Sequence, residues 1–286
     1  MDFVIHFNLM CRSYGIRKEL KMKYACYGAT RNVYTDVIPA VKSLLMNSDV
    51  DKIYILAEDN DLLIRGMPHK LPKECEVINV SNQKWFKPDG ANYHQEWTWM
   101  TLMRIALPFL LPDVDKILWL DNDTICRQDI SDLWDIDLGD CYVGGVEEPS
   151  HTASTRHLYL NAGVLYFNLN RLRESGKATE MIDVLHRQKF PFPDQDVVNC
   201  LCQGYIKVLP PEYNCYEFTY NGNPNNEKIK HYGGWKQTAH KNWRQEWIVN
   251  KYREMTWDAI EKERKIKYPK EEQKPVKKTR SKKTEE

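Results

Sequence analysis

The sequence predicts an α/β protein built on an open, mostly parallel β-sheet with flanking helices. Short apolar runs with the length and composition of buried strands recur along the chain, as in YACYGA, KIYILA and CEVINV. Segments with helical periodicity alternate with these runs, which is typical of a parallel sheet with helical crossovers. With 286 residues and 42% apolar side chains, the chain can bury the core of one sizeable α/β domain or two small ones.

The first strand, turn and helix follow Met22. The run YACYGA ends at Gly28, and a polar turn leads into VIPAVKSLLMNS, where Val37, Val41 and Leu44 recur at helical spacing. The turn has one glycine and lacks the GxGxxG pattern, so the sequence does not support a dinucleotide-binding fold. The runs KIYILA and CEVINV then predict the second and third strands.

The middle of the chain continues the alternation with two helices and three strands. Residues 96–111 predict an apolar helix with one internal cation, Arg104. Residues 194–203 predict a second helix with Asp194 as its N-cap. The three strands are expected at residues 115–120, at YVGGVEE near residue 145, and at residues 161–169.

Composition divides the chain into four parts. Strand signals begin only after Met22, and from Pro269 apolar residues become scarce, with six cations and no anions in KPVKKTRSKK. Such a segment cannot bury enough apolar surface to fold. We expect a loose arm or an upstream-start artefact at residues 1–21, the main domain at residues 22–240, a C-terminal helical extension at residues 241–268, and a disordered basic tail at residues 269–286.

Charge and cysteine content limit the classes of function. The formal net charge at pH 7 is +1, too small to attract nucleic acid nonspecifically, and we expect no nucleic-acid partner. The eight cysteines form no regular framework, which predicts free thiols in a reducing cytosol. No uninterrupted apolar stretch reaches the ~18 residues of a membrane span. We therefore expect a cytoplasmic protein.

The basic tail bears on where in the cytoplasm the protein lies. Near an anionic lipid surface each cation contributes about 1 kcal/mol of attraction. Residues 269–286 would then hold the protein at the inner face of the membrane as a peripheral protein, which suits a lipid-linked partner. A solvated, disordered end is the alternative.

The segment ILWLDNDTIC carries the strongest chemical signal. Asp121 and Asp123 follow an apolar strand, where the carboxyl ends of parallel strands form ligand sites. Side chains two apart on a strand face the same way, so the carboxylates would share one site while Asn122 points away. Close carboxylates repel unless a cation lies between them, and Mn²⁺ or Mg²⁺ suits oxygen ligands. The alternative is a simple strand-ending turn, which Asp and Asn favour.

Four blocks in a fixed order carry a resemblance to a known family. They are KILWLDNDTICRQDISDLWDIDLGD, YLNAGVLYFNL, FPDQDVVNCL and IKHYGGWKQ. Together they resemble the family 8 retaining glycosyltransferases, the group of glycogenin and the bacterial lipopolysaccharide galactosyl- and glucosyltransferases. The resemblance implies a GT-A type fold, with a Rossmann-like mixed sheet and flanking helices, for a catalytic domain at residues 22–240.

The resemblance also implies a metal site and a diphosphate site. Asp121 and Asp123 match the family's DxD ligands of Mn²⁺ or Mg²⁺, and His231 in HYGG matches its third ligand. Two glycines would let the backbone approach the diphosphate, and a lysine, one residue closer to the histidine than in the family pattern, would supply charge. These residues are Gly233, Gly234 and Lys236.

Residues near the donor sugar are implied by the same resemblance. Asn161 matches the asparagine of the family's FNAGV block, while Asp194 and Gln195 match its DQD block, with Asp194 on sugar hydroxyls and Gln195 by the anomeric carbon. An ordinary helix cap is the alternative for Asp194, and both roles can coexist. Arg104 matches an arginine that meets the donor sugar or diphosphate, and would otherwise be a costly cation in an apolar helix.

The nucleotide positions are less similar to the family, whereas the acceptor position matches. Gly28, Thr30 and Asn32 would line the base and ribose, with Asn122 beside them, but Thr30 stands where family members generally have an acidic residue. This departure weakens the assignment of uridine. Glu148 matches a position that faces the acceptor, and an ordinary exposed strand-end glutamate is the alternative.

The implied reaction moves glucose or galactose from a UDP-sugar to a glycan or glycolipid, with retention, as in lipopolysaccharide or surface polysaccharide synthesis. Retaining glycosidases use a carboxylate nucleophile, and none is well placed here. The resemblance suggests instead a front-face route, in which the leaving diphosphate helps to deprotonate the acceptor and Gln195 stabilises positive charge.

Two other functions fit part of the sequence. A haloacid-dehalogenase-like phosphatase also has an apolar strand that ends in DxD, with Asp121 as the nucleophile, but that motif normally opens its domain. A non-catalytic nucleotide-sugar binding module on the same fold is the second alternative. The intact set of Asp121, Asp123, Asp194, Gln195 and His231 argues against it.

Overall fold

A seven-stranded β-sheet forms the centre of the computed structural model, which describes residues 22–59, 71–94, 98–216, 219–233, 243 and 245–270. The arm expected at residues 1–21 and the tail beyond residue 270 lie outside these residues, so their disorder stays a prediction. The same holds for the predicted diphosphate residues Gly234 and Lys236.

The sheet is mixed, with both parallel and antiparallel pairs of strands. Its strands are β1 (Tyr24–Ala29), β2 (Lys52–Ala57), β3 (Cys75–Asn79), β4 (Lys116–Leu120), β6 (Val143–Glu147), β7 (Leu160–Asn168) and β8 (Ile206–Val208), while β5 (Thr124–Cys126) and β9 (Ile229–His231) form a separate two-stranded sheet. The order in space is β3-β2-β1-β4-β7-β6-β8. Strand β7 is antiparallel to its two neighbours, β4 and β6, while the other described pairs, including β6 with β8, are parallel.

The order of the strands reverses between β1 and β4. From β1 the chain moves outward through β2 and β3, and then returns to place β4 on the other side of β1. Connections that follow β1 and β4 therefore leave the sheet in opposite directions, which opens a crevice at the carboxyl ends of these strands. Both Gly28, near the end of β1, and Asp121, just after β4, lie at this edge.

Helices cover both faces of the sheet. The α-helices are α1 (Tyr34–Met46), α2 (Trp99–Leu110), α3 (Pro149–Thr155), α4 (Leu169–Glu174), α5 (Lys177–Arg187), α6 (Pro193–Leu201), α7 (Trp247–Glu254) and α8 (Trp257–Lys267), with short 3-10 helices at Arg31–Val33, Ser131–Asp135, Pro211–Tyr213 and Pro224–Asn226. Helices α1, α7 and α8 share one core, and α2, α4, α5 and α6 share the other. Strand β4 serves both, because its successive side chains point to opposite faces: Leu118 and Leu120 lie in the first core, Ile117 and Trp119 in the second.

These elements confirm the predicted fold class, but two helix starts were wrong. The helix expected from residue 96 begins at Trp99, because Thr98 has an extended backbone. The helix expected from residue 194 begins at Pro193, whose fixed φ suits the first helical position. Asp194 is therefore not the N-cap; it lies in the first turn, and its side chain is buried.

The two C-terminal helices pack on α1 through buried cations. Arg264 of α8 donates hydrogen bonds to the carbonyl oxygens of Leu45 (2.9 Å), in the last turn of α1, and of Ser48 (2.6 Å) and Val50 in the segment that follows the helix. Carbonyls at a helix C-terminus have no partner within the helix, so Arg264 satisfies groups that α1 cannot. In turn, Lys42 of α1 donates to the carbonyl oxygen of Arg253 (3.2 Å), in the last turn of α7.

This exchange makes α7 and α8 part of the first core rather than a peripheral addition. Val249 of α7 and Ile260 of α8 are completely buried in it. Within the described ranges, no helix has both the length and the apolar character that crossing a bilayer requires.

Arg264→Met should lower the free energy of unfolding by about 3 kcal/mol, because three buried carbonyl oxygens would lose their donor. Urea unfolding followed by circular dichroism measures this change. Lys265→Met is the matched control: Lys265 is 69% exposed and pairs with Glu261 on the surface, so its loss should leave stability unchanged. Equal stability of the two variants would show that Arg264 does not join α8 to α1.

Candidate active site

The two aspartates lie in a tight turn that follows β4. The backbone N–H of Thr124 donates to the carbonyl oxygen of Asp121 (3.2 Å), and the N–H of Asp121 donates to the carbonyl oxygen of Gly163 on β7 (2.9 Å). The expectation that strand alternation aligns the carboxylates was therefore wrong, since β4 ends at Leu120. A turn brings them together instead, so the strand-ending turn and the shared carboxylate site are not alternatives in this chain.

His231 reaches these carboxylates through the small sheet. Strands β5 and β9 are antiparallel, with Thr124 opposite His231. The imidazole Nε2 lies 3.5 Å from Asp123 Oδ1 and 4.0 Å from Asp121 Oδ2. The three side chains each offer one ligand atom, all within 4.8 Å of one another.

The donor set fits a divalent cation. Two carboxylate oxygens and one imidazole nitrogen are a suitable set for Mn²⁺, and oxygen ligands suit Mg²⁺. Asp123 and His231 are buried, at 8% and 6% exposure, so water can do little to solvate the carboxylate and the imidazole. The structure thus brings together the three residues that the sequence predicted as metal ligands.

The imidazole of His231 is confined on two sides. It lies against the backbone of Gly163, where an added Cβ would stand 2.1 Å from the ring carbon Cε1. The ring of Tyr216 lies on it as well, with centroids 5.0 Å apart. Its Nδ1 is 3.0 Å from Oδ1 of Asn214. Gly163, Tyr216 and Asn214 therefore fix the ring that presents Nε2 to the aspartates.

Arg104 is the buried cation behind the aspartates. Its Nη2 donates to Asp121 Oδ1 (2.9 Å), and its Nη1 lies 3.1 Å from Asp194 Oδ2. The guanidinium also lies over the ring of Trp119, 4.7 Å from its centroid. The indole N–H of Trp119 donates to the same oxygen, Asp121 Oδ1 (2.9 Å). One oxygen of Asp121 is thus held from behind while Oδ2 faces His231.

Asp194 and Gln195 begin α6 beside this cation. Burial raises the pKa of Asp194, and the positive charge of Arg104 opposes that rise. Gln195 Oε1 accepts a hydrogen bond from the backbone N–H of Ala162 (2.8 Å), while Arg104 donates to the carbonyl oxygen of Ala162 (2.6 Å). Arg104 and Gln195 therefore both contact Ala162 of β7, and Asp194 joins them through Arg104.

Tyr159 lies behind Gln195 and holds its other end. Gln195 Nε2 donates to the Tyr159 hydroxyl (3.3 Å), which itself donates to Asp196. Burial, and then the hydrogen bond to Asp196, raises the pKa of Tyr159. The phenol therefore keeps its proton, and the Gln195 amide is held at both ends in one orientation.

Asn161 and Glu148 extend the site away from the metal ligands. Asn161 Nδ2 donates to Glu148 Oε2 (3.1 Å), and His151 Nδ1 lies 2.6 Å from Glu148 Oε1. Glu148 is only 3% exposed, so the alternative of an exposed strand-end glutamate was wrong. The buried carboxylate has the amide of Asn161 on one oxygen and the imidazole of His151 by the other.

The predicted nucleotide residues lie at the adjacent end of β1. Asn122 Nδ2 donates to the carbonyl oxygen of Gly28 at 3.4 Å, which joins this end to the aspartate turn. A Cβ on Gly28 would stand 2.9 Å from the Trp119 ring, so only glycine fits without a shift. Thr30 precedes the 3-10 helix Arg31–Val33, and Asn32 within that helix is exposed.

Of the three residues predicted to bind the diphosphate, Gly233 is the one that the structure describes. Its φ is 63°, in the left-handed region that favours glycine, and a Cβ there would overlap the ring of Tyr216. Gly234 and Lys236 lie outside the described residues, so the diphosphate role of all three stays a prediction.

The sequence did not indicate several residues of this site. Gly163 lies inside the NAGV block and could have been noticed as a glycine in a buried strand, which often marks a close approach of another group. Trp119 appeared only as an apolar strand residue, and Tyr159 stood in the YLNAGVLYFNL block with no role assigned. Asn214 stands in a loop with no local pattern, and its contact with His231 depends entirely on tertiary structure.

The sequence matches a known protein family over most of its length. The model of glycosyl transferase family 8 matches residues 25–247. The lipopolysaccharide 1,2-glucosyltransferase of Escherichia coli is 27% identical over 208 residues, which are 66% of this chain and 60% of that relative. The chain thus spans less than two thirds of the length of this relative.

Two solved structures share the fold. The galactosyltransferase LgtC, in complex with donor and acceptor sugar analogues, has a TM-score of 0.59 at 19% identity, covering 83% of this chain and 99% of LgtC. The glycosyltransferase GlyE of Streptococcus pneumoniae has a TM-score of 0.63 at 23% identity, covering 86% of this chain and 64% of GlyE. These likenesses confirm the predicted GT-A type fold.

Gly163→Ala should weaken Mn²⁺ binding at least about tenfold, because the new methyl group would displace the imidazole of His231. Electron paramagnetic resonance of free Mn²⁺ during a titration measures the affinity. Gly176→Ala is the control: its φ of 70° makes alanine strained there, but no atom lies within 4 Å of the added Cβ, so it should lower stability and leave Mn²⁺ affinity unchanged. Equal affinities for the two variants would contradict a metal site that depends on the ring position.

Proposed function

The chain is a member of glycosyl transferase family 8, and from this premise we propose that it is a metal-dependent hexosyltransferase. It would move glucose or galactose from a UDP-sugar to a glycan or glycolipid, with retention at the anomeric carbon. The observation that carries the proposal is the cluster of Asp121, Asp123 and His231 at the strand-order reversal of the sheet. In open α/β sheets this is the place where ligands bind.

Three ligand atoms would hold the metal: Oδ2 of Asp121, a carboxylate oxygen of Asp123, and Nε2 of His231. When bound, Mn²⁺ or Mg²⁺ supplies a positive charge that offsets the charge developing on a leaving diphosphate. The chain's own contribution is to orient these atoms, and Arg104 and Trp119 do so for Asp121 by holding Oδ1.

Arg104, Asp194 and Gln195 are the proposed donor-sugar residues. Arg104 and Asp194 form a buried ion pair, so the side chain of Asp194 is restrained and would accept hydrogen bonds from sugar hydroxyls in one place. Gln195 is held through Ala162 and Tyr159. A fixed amide dipole can stabilise positive charge at the anomeric carbon without reorganising during the reaction.

The carboxylates beside Gln195 do not favour a covalent route. Asp194 is paired with Arg104, and Asp196 accepts hydrogen bonds from the Tyr159 hydroxyl and the Phe192 N–H. A retaining glycosidase instead needs a carboxylate that can attack the sugar. We therefore propose the front-face route, in which the acceptor hydroxyl gives its proton to the leaving diphosphate as the new bond forms.

The nature of the relatives supports the acceptor class. The Escherichia coli relative is described as a lipopolysaccharide glucosyltransferase, and LgtC as a galactosyltransferase. We propose a surface glycan or glycolipid acceptor and a catalytic domain at residues 22–240. Asn161 would lie by the donor sugar, and Glu148 on the acceptor side. A cytoplasmic location at the inner membrane face, reached through the basic tail, belongs to the same proposal.

The phosphatase alternative is disfavoured by the position of the aspartates. Asp121 Oδ2, the oxygen that Arg104 and Trp119 leave open, faces His231 Nε2 at 4.0 Å, an arrangement that suits a metal ligand. Three strands, β1 to β3, also precede β4 in the sheet, while the phosphatase motif normally opens its domain.

The protein should release UDP from UDP-glucose or UDP-galactose when Mn²⁺ is present, and chelation by EDTA should abolish the release. Asp123→Asn should lower the rate about 100-fold or more, because the site would lose a charged ligand. Asp183→Asn, on the exposed side of α5, is the control and should keep full activity. Intact UDP-sugars under all conditions would overturn the proposal, and phosphate release from p-nitrophenyl phosphate would favour the phosphatase.

Arg104→Lys should lower kcat/KM for the UDP-sugar by about 10- to 100-fold, because lysine keeps the charge but cannot contact Asp121, Asp194 and the Ala162 carbonyl together. The control is Arg173→Lys, at an arginine that donates to three backbone carbonyls, those of Pro108, Leu111 and Val114. It should reduce thermal stability and leave kcat/KM unchanged. Similar losses of kcat/KM in both variants would mean that Arg104 acts only on stability.

A further inference from the structure

A chain of buried side chains leads from Glu148 to His231. Glu148 accepts from Asn161 Nδ2 (3.1 Å), Asn161 Oδ1 accepts from Asn214 Nδ2 (2.9 Å), and Asn214 Oδ1 lies 3.0 Å from His231 Nδ1. All four side chains are at most 6% exposed, and Asn214 is completely buried. Water therefore has little access to these groups, and each must find its hydrogen-bond partner within the chain.

The direction of the first hydrogen bonds is fixed chemically. The Asn161 group that faces Glu148 is its NH₂, which donates to a carboxylate oxygen. On the other side, the backbone N–H of Gly163 can only donate, and it points at Asn161 Oδ1 (3.0 Å). Both ends of the Asn161 amide therefore agree on one orientation, which needs no assumption about amide flips.

That orientation passes to the next asparagine. Because Asn161 Oδ1 is an acceptor, Asn214 must turn its NH₂ toward it, which leaves Asn214 Oδ1 facing His231. A carbonyl oxygen can only accept, so Nδ1 of His231 must carry a hydrogen. In the neutral ring the lone pair is then on Nε2, the atom that faces Asp121 and Asp123.

We propose that Glu148, Asn161 and Asn214 are positioning residues that fix His231 in the Nδ1–H tautomer. We name these three residues and His231 the asparagine relay. Without the relay, the two carboxylates would favour a hydrogen on Nε2, since each would accept it. In that tautomer the lone pair is on Nδ1, so Nε2 could not bind a cation. The relay therefore stabilises the Nδ1–H tautomer, although the two nearest carboxylates favour the Nε2–H tautomer.

The relay also assigns Glu148 a role that its proposed place near the acceptor does not contain. Glu148 reaches His231 through the amides of Asn161 and Asn214, and it supports the orientation of Asn161 that the Gly163 N–H also sets. The tautomer itself is a property of the folded chain without any ligand. Only its consequence, a ring ready to bind a cation, rests on the proposed function.

The test is ¹⁵N NMR of the metal-free protein with labelled histidine, at alkaline pH where the imidazole is neutral. The spectrum of His231→Gln assigns the His231 signals by difference. We expect Nδ1–H in the unaltered chain, mostly Nε2–H in Asn214→Leu, and a mixture in Asn161→Leu, which leaves the Asn214 amide free to turn either end toward the ring. A nonspecific loss of stability would not produce this pattern.

Asn92→Leu is the matched control. Asn92 is another buried asparagine, 1% exposed, that bonds backbone groups of residues 185–190 far from the relay. It should leave the His231 tautomer unchanged. Nε2–H in the unaltered chain, or undisturbed Nδ1–H in Asn214→Leu, would overturn the relay. If Asn214→Leu does not fold, unmixed Nδ1–H in Asn161→Leu would overturn the relay instead.

Mn²⁺ affinity provides the second measurement. Loss of the group that orients a ligating histidine typically weakens metal binding 10- to 100-fold, and we expect a loss of about that size in Asn214→Leu but none in Asn92→Leu. Unchanged affinity in Asn214→Leu would overturn the relay's link to metal binding. Failure of the proposed function would look different, because UDP release would be absent while the tautomer followed the expected pattern.

Discussion

A buried guanidinium is the interaction on which the site depends. Arg104 extends from α2 and contacts the aspartate turn at Asp121, the backbone of β7 at Ala162, and the start of α6 at Asp194. A charge removed from water is very costly unless its partners are well placed. The folded state must therefore keep these four segments in register, since a shift of any one would leave a charge or a carbonyl unpaired in the core.

The same principle applies to each proposed ligand atom. Asp121 is held through Oδ1 by two donors, and His231 is held through Nδ1 by Asn214, so in both side chains the atom that faces the cluster is the one left for a ligand. Preorganisation of this kind reduces the cost of ordering the site when a ligand binds.

The sequence predicted the fold class and the position of the site because both depend on local patterns. Apolar runs and turns located β1 to β4, and the DxD pattern identified the two aspartates, while the resemblance to the family added His231 in HYGG; the structure brings these three residues together. The reason given for the aspartates was wrong, however, because a turn and not a strand aligns them. Asp194 was assigned to the wrong helix position, since Pro193 determines where α6 begins.

The remaining contacts could not be predicted, because they join residues that only tertiary structure makes neighbours. Asn214 has no periodic context, and its partners Asn161 and His231 lie on β7 and β9. Gly163 reads as an unremarkable strand glycine until the imidazole is found against its backbone. Likewise, Arg264 looks like a surface residue of a charged helix, yet it is 5% exposed because it completes the end of α1.

The position of β9 has a consequence for the order in which the protein is made. His231 is at the end of this strand and pairs opposite Thr124, so the aspartates leave the ribosome long before their partner exists. A nascent chain that lacks β9 offers two carboxylates in a turn and no imidazole. Any cation held by all three would stabilise only chains whose long-range pairing is complete. Cation binding would then distinguish finished molecules from truncated ones.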